Sequence, residues 1–133
     1  MSLPLPPSHY ERLGGEAAVR ALVDRFYDLM DTLPEAAPIR ALHARNLKGS
    51  REKLFLFLSG WLGGPPLYVE RYGHPRLRMR HAPFPIDSSA RDQWMHCMRQ
   101  AMIDLEVEPK LRQALDDAFW RTADFMRNRP DEQ

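Results

Sequence analysis

Twelve prolines among 133 residues partition this chain more sharply than any other feature of it. They stand at 4, 6 and 7, at 34 and 38, at 65 and 66, at 75, at 83 and 85, at 109 and at 130. Proline lacks a backbone donor and clashes with the preceding helical turn, so long elements must fall between these positions. The stretches 8–33, 39–64, 86–108 and 110–129 are free of it. Each carries apolar residues at steps of three and four, the spacing of one helix face. Val19, Leu22, Val23, Phe26, Met30 and Leu33 form the first stripe. Leu54, Phe57, Leu58 and Trp61 form the second, closed by Gly63-Gly64-Pro65-Pro66. Trp94, Met98, Ala101, Met102 and Leu105 follow the cap region Asp87-Ser88-Ser89, and Leu111, Leu115, Ala118, Thr122 and Phe125 make a fourth. Ser8 with Glu11 predicts a short capped helix ahead of Gly14-Gly15. No stretch sustains period-two alternation, so the expectation is an all-α fold.

Size and composition bound the rest. The length fits one domain, and 44% hydrophobic with 28% charged residues is the balance of a globular protein. The expected division is a flexible segment over 1–9, a helical domain over 10–128 and a tail over 129–133. A net charge of +1 gives no footprint for nucleic acid. The longest apolar run, Leu54 to Leu58, is far too short for a membrane span. The first residues lack the basic head and apolar stretch of a secretory signal, and a lone cysteine, Cys97, excludes an internal disulfide and a cysteine-built zinc site. A reducing cytoplasm is the expected location, with Cys97 a small buried hydrophobe.

The histidines His9, His43, His74, His81 and His96 form no HExxH pair or zinc-finger spacing, and there is no phosphate loop and no GxSxG. The segment 64–87 is more informative. It is rich in Gly and Pro yet also in Arg, Tyr, Phe and His, and only Arg76 to Ala82 has room for two helical turns. A connection of that length inside a compact domain is usually functional. His81 closes this short helix, with Pro83 and Pro85 preventing continuation. Leu77, Met79, Phe84 and Ile86 supply apolar wall, and Arg76, Arg78 and Arg80 supply cations. A fixed imidazole, apolar walls and cations for carboxylates suit a haem; a surface turn with solvated arginines has the same residues. Tyr27 and Trp94, on the first and third long helices, each carry one polar donor on an aromatic body. They fit either interior packing with a backbone partner or donation to a bound ligand.

These residues bring the chain to a family. Tyr10-Glu11-Arg12-Leu13-Gly14-Gly15, Arg25-Phe26-Tyr27, Trp61-Leu62-Gly63-Gly64-Pro65, the block from Gly73 through His81 to Phe84, and Arg91-Asp92-Gln93-Trp94 together resemble the truncated haemoglobins, group II or O type, from about Tyr10 to Arg127. The resemblance implies a truncated globin fold, a two-over-two helical sandwich with a short proximal helix, holding haem b (iron protoporphyrin IX). It implies His81 as the proximal iron ligand, Tyr27 as the distal tyrosine and Trp94 as the tryptophan that marks the group. It places His43 and Ser50 at distal positions, with Leu54 one turn further on. Lys53 and Arg80 are expected at the haem propionates, and Phe84 and Ile86 in the haem wall. The implied ligands are diatomic gases (oxygen, carbon monoxide and nitric oxide), with a reductase as a further partner and a monomer or homodimer as the assembly. Tyr27, Trp94 and His43 would be the donors that hold oxygen. The alternative is an oxidoreductase, by nitric oxide dioxygenation or peroxidase-type chemistry, in which Tyr27 and Trp94 are the catalytic pair; a haem-free helical interaction domain is the remaining reading.

Overall fold

The computed structural model describes residues 6–131, and every regular element among them is helical. They are α1 (His9–Leu13), α2 (Glu16–Thr32), a 3-10 turn at Pro34–Ala36 leading into α3 (Ala37–Ala41), α4 (Lys48–Trp61), α5 (Leu67–Tyr72), α6 (Leu77–His81), α7 (Ser88–Asp104) and α8 (Pro109–Phe125). The prolines do more than interrupt. Pro34 opens the 3-10 turn, Pro38 sits in the first turn of α3, and Pro109 is the first residue of α8, one residue ahead of the expected start. A helix's first N–H groups have no internal partner, so proline loses nothing there. Carboxylates and a hydroxyl satisfy the neighbouring donors. Ser8 accepts from Glu11 N–H at 3.1 Å, Asp87 from Ala90 N–H at 2.9 Å, and Glu108 from Lys110 and Leu111 N–H at 3.0 Å each.

Four long helices make the body. α2 packs on α4 and α7, and α7 packs on α8, giving the α2–α4 pair over the α7–α8 pair. α2 buries Val19, Leu22, Val23, Phe26 and Met30; α7 buries Met95, Cys97, Met98, Ala101 and Met102; α8 buries Leu111, Leu115, Phe119 and Ala123. Two expected stripes run one step too far, because Leu105 and Phe125 are exposed. On α8, Phe119 and Ala123 take the core face in place of Ala118 and Thr122. The α4 stripe divides: Phe55, Leu56 and Leu58 are buried in the core, whereas Leu54, Phe57 and Trp61 are only half-buried. These last three line a gap, since α4 and α8 have little backbone contact and meet mainly where the Trp61 and Phe119 rings stack at 4.7 Å.

The expected long connection over 64–87 contains a second helix, α5, besides α6. Six residues are too few to display a helical period in sequence. Tertiary contacts hold it: Ser59 Oγ donates to Pro65 O at 2.7 Å, fixing the turn between α4 and α5. Gly64 lies so close to the Tyr10 ring that any Cβ would collide with it, and Tyr10 N–H donates to Leu62 O at 2.9 Å, docking α1 on the end of α4. The α6 entrance is held at Arg76, whose φ of 45° is left-handed for a non-glycine residue, at a cost of about 1–2 kcal/mol.

Hydrogen bonds join both chain ends to the helices where they are described. Of the segment 1–9, residues 1–5 lie outside the described residues, while Ser8 and His9 begin α1. The tail over 129–133 is tied down as far as Asp131. Arg129 N–H donates to Ile86 O at 3.1 Å, and the Asp131 carboxylate accepts from Ser88 N–H and Oγ–H at 2.9 and 3.0 Å. Residues 132 and 133 lie outside the described residues.

Candidate functional site

The gap between α4 and α8 opens into a cavity of about 630 Å³. Its walls are mainly apolar: Leu54, Phe57, Leu58 and Trp61 from α4, Phe119 and Ala123 from α8, and Leu77, Phe84 and Ile86 from α6 and the loop after it. The cavity brings together all the residues expected at the site: Tyr27, His43, Ser50, Lys53, Leu54, Arg80, His81, Phe84, Ile86 and Trp94 line it. Their helices are far apart in sequence, so only the packing makes them neighbours. A shallower depression is bounded by Asp31, Arg40, Arg45, Lys48 and Arg51; Arg40 pairs there with Asp31, and Arg51 with Asp24 and Asp28.

His81 is the last residue of α6, and its Nδ1 lies 2.6 Å from Leu77 O, one turn back. A carbonyl oxygen only accepts, so in the neutral ring the proton sits on Nδ1 and Nε2 keeps its lone pair. A second residue steadies this corner. Asn128 Nδ2–H donates to His81 O at 3.2 Å and Phe84 O at 2.9 Å, its Oδ1 accepts from Ile86 N–H at 2.9 Å, and its own N–H donates to Ile86 O at 2.8 Å. One side chain just beyond α8 therefore closes the loop 81–86 into a fixed shape.

Another part of the lining carries donors. Phe26 is fully buried between Tyr27 and Trp94, with ring centroids 4.9 and 5.0 Å away, and this packing holds both rings in place. Neither the Tyr27 hydroxyl nor the Trp94 indole N–H has a hydrogen-bond partner in the protein among the described residues, and no buried side-chain polar atom is orphaned. Both donors therefore open onto the cavity and not into the packed core. Burial pushes the Tyr27 pKa well above its ordinary value, although Arg51 opposes this, so the hydroxyl stays protonated. His43 differs from expectation. Its Nδ1 lies 2.9 Å from Ile39 O, so the neutral ring spends its one N–H on that carbonyl and its Nε2 can only accept. Burial lowers its pKa; the Ile39 bond opposes this, and the charges of Arg40 and His81 reinforce it. The expectation of His43 as a third donor is thus corrected: near neutrality it is an acceptor.

The matches to known proteins agree with this geometry. Residues 8–128 match the family model described as bacterial-like globin. The chain belongs to the group II truncated haemoglobins. It is 40% identical over 119 residues to Group 2 truncated hemoglobin YjbI of Bacillus subtilis, covering 90% of this chain and 87% of that one. The group II 2-on-2 hemoglobin of Agrobacterium tumefaciens superposes with a TM-score of 0.91 at 47% identity, covering 98% of this chain and all of the other. The cold-adapted truncated hemoglobin of Pseudoalteromonas haloplanktis gives 0.89 at 49% identity, over 92% and 99% of the two chains. The fold is therefore the two-over-two sandwich of truncated globins, and the family implies haem as cofactor and diatomic gases as ligands.

The cavity of this truncated haemoglobin fits such a group. It is an apolar slot lined by two imidazoles that keep a lone pair, His81 and His43, and by the donors of Tyr27 and Trp94, and Lys53 and Arg80 line it without an ion pair among the described residues. Arg91 also lines it, but Asp92 and Asp124 already hold its guanidinium at 2.9 and 2.7 Å. No helix is long and apolar enough to cross a membrane. Sequence reasoning missed Phe57, Trp61, Tyr68, Phe119 and Met126 as cavity residues, having placed Phe57 and Trp61 on an apolar helix stripe. It missed Asn128 because an asparagine beyond a helix end looks like any other turn residue.

Asn128→Ala removes three side-chain hydrogen bonds and should cost about 1–3 kcal/mol in urea unfolding of the cofactor-free chain, with faster haem loss from the loaded chain. Unchanged stability together with unchanged haem loss would contradict the clamp. His43 generates a pH prediction. Its folded pKa lies below its unfolded value, so its contribution is complete above about pH 6.5 and is lost as pH falls through the folded pKa. The parent should therefore lose more stability between about pH 7 and pH 5 than His43→Phe does, in urea melts at the two values. Parallel losses would show that His43 is not held neutral by the fold.

Proposed function

We propose that this chain binds haem b through His81 and holds a diatomic ligand, oxygen foremost, with hydrogen bonds from Tyr27 and Trp94. The observation that carries this reading is a cavity lined by His81, whose Nδ1 bond to Leu77 O leaves Nε2 its lone pair, and by the Tyr27 and Trp94 donors, which have no protein partner among the described residues. Haem held by His81 would supply an iron able to bind diatomic gases, and Tyr27 and Trp94 would donate hydrogen bonds to a ligand in the cavity. Everything else is done by the side chains. The Leu77 carbonyl fixes the tautomer of His81 and the orientation of its ring. Lys53 and Arg80 supply counter-charges for the propionates, while Leu54, Phe57, Phe84 and Ile86 exclude water from the faces. Ser50 lines the same cavity near its distal end as an adjustable hydroxyl.

Tyr27 and Trp94 set the residence time. A hydrogen bond to a charged acceptor contributes roughly 1.5–3 kcal/mol, and each 1.4 kcal/mol is a factor of about ten in dissociation. With His43 accepting and not donating, the donor set is two. Two such bonds oppose rapid release, which suits retention of the ligand, or reaction upon it, better than bulk delivery. This is what supports the second reading, an oxidoreductase acting on nitric oxide or peroxide with a reductase as electron source. A cytoplasmic monomer or homodimer agrees with either.

Trp94→Phe keeps most of the ring and deletes one donor, so oxygen should leave about tenfold faster or more, measured by stopped-flow displacement with carbon monoxide. Tyr27→Phe should act in the same direction. If both variants release oxygen at the parent rate, these side chains do not hold the ligand.

A further inference from the structure

Eight of the chain's thirteen aromatic residues form one connected cluster with a single exposed end among the described residues. Tyr27, Phe26, Trp94, Phe119, Trp61, Phe57 and Tyr68 touch in succession, each neighbouring pair of ring centroids lying between 4.7 and 6.5 Å apart. Tyr68 then meets Tyr72, one turn along α5, at 4.9 Å. Tyr68 lines the cavity, whereas Tyr72 does not line it and is 38% exposed. Trp120, the other exposed oxidisable ring, pairs with Arg91 and with no ring of the cluster among the described residues. The Tyr68–Tyr72 pair is therefore where an oxidisable ring on the cavity wall meets an oxidisable ring open to solvent.

We propose that Tyr68 and Tyr72 form an exit for oxidising equivalents, making Tyr72 a surface site at which small phenols are oxidised at the expense of a hydroperoxide. The proposal rests on the haem reading of the cavity. Packing alone would be served equally by phenylalanine at 72; the phenol adds the ability to lose one electron and one proton at a potential that phenylalanine cannot reach. Rings in van der Waals contact exchange an electron without any movement of the chain. In each pass Tyr68 gives one electron, together with its phenolic proton, to the hydroperoxide being reduced in the cavity. Tyr72 restores both to Tyr68, and an external phenol restores both to Tyr72. Two passes balance the reaction: the O–O bond of one hydroperoxide breaks, two electrons and two protons are taken up, and an alcohol and water leave, while two phenols become phenoxyl radicals. Arg71 lies 5.2 Å from the Tyr72 ring centre and Arg80 lies 5.9 Å from that of Tyr68, so the exit carries positive charge and suits phenols bearing a carboxylate.

The test uses the full chain loaded with hemin, treated with hydrogen peroxide and a nitroso spin trap, and digested for mass spectrometry. The expected result is a trap adduct on the Tyr72 peptide, lost in Tyr72→Phe and lost also in Tyr68→Phe, which leaves Tyr72 itself intact. Tyr72→Phe should retain the carbonyl spectrum of the parent while losing oxidation of an added carboxylated phenol. A Tyr72 adduct that persists in Tyr68→Phe overturns the proposal, as do adducts confined to Tyr27 or Trp120. A normal Soret band and peroxide consumption with no adduct at Tyr72 would sink the exit while leaving the haem reading standing. Absence of a Soret band would remove both.

Discussion

The bond from His81 Nδ1–H to the Leu77 carbonyl, 2.6 Å long, is the interaction on which the site depends. It chooses the tautomer, and the tautomer decides which nitrogen faces the cavity as a lone pair. The bond is available because α6 is a helix at all: residue 77 lies one turn before residue 81, so its carbonyl is close to the imidazole. α6 has only five residues and would be marginal alone. Its persistence comes from what surrounds it, namely the left-handed entrance at Arg76, the prolines at 83 and 85 that end it, and the Asn128 clamp on the loop beyond.

The rest of the architecture holds a space open opposite well-packed layers. α2, α7 and α8 form the solid part through fully buried side chains such as Leu22, Phe26, Met98, Met102 and Leu115. α4 belongs to this core through Phe55, Leu56 and Leu58 and stands off from α8 elsewhere, so that Leu54, Phe57 and Trp61 are left half-covered. Apolar side chains in that condition are costly in water and are stabilised by an apolar ligand laid against them. The same packing positions the donors. Phe26, wholly buried, braces Tyr27 and Trp94 together, so the chemistry of the cavity is anchored in the core of the domain.

Much of this was legible in the residues. The prolines and apolar stripes located the four long helices, and the block around His81 with Tyr27 and Trp94 named residues that the fold brings to one cavity. What escaped has identifiable causes. α5 and α3 are too short to show a period and are held by tertiary contacts such as Ser59 to Pro65. Prolines read as breaks turned out to be helix starts at 34, 38 and 109, because the first turn needs no N–H. His43 was legible as a cavity histidine, but its role as an acceptor depends on where the Ile39 carbonyl points, which no residue string records. Asn128 was invisible for the same reason: its partners are backbone atoms some forty residues away in the chain.

The most direct test of the central claim is the ferrous absorption spectrum of the hemin-loaded chain, taken for the parent and for His81→Gly with and without added imidazole. The expected result is a Soret and visible spectrum of a histidine-ligated haem in the parent, lost or displaced in His81→Gly, and restored when imidazole fills the space left by the side chain. A parent that stays colourless with excess hemin, or a His81→Gly spectrum identical to that of the parent without imidazole, would show that His81 is not the ligand.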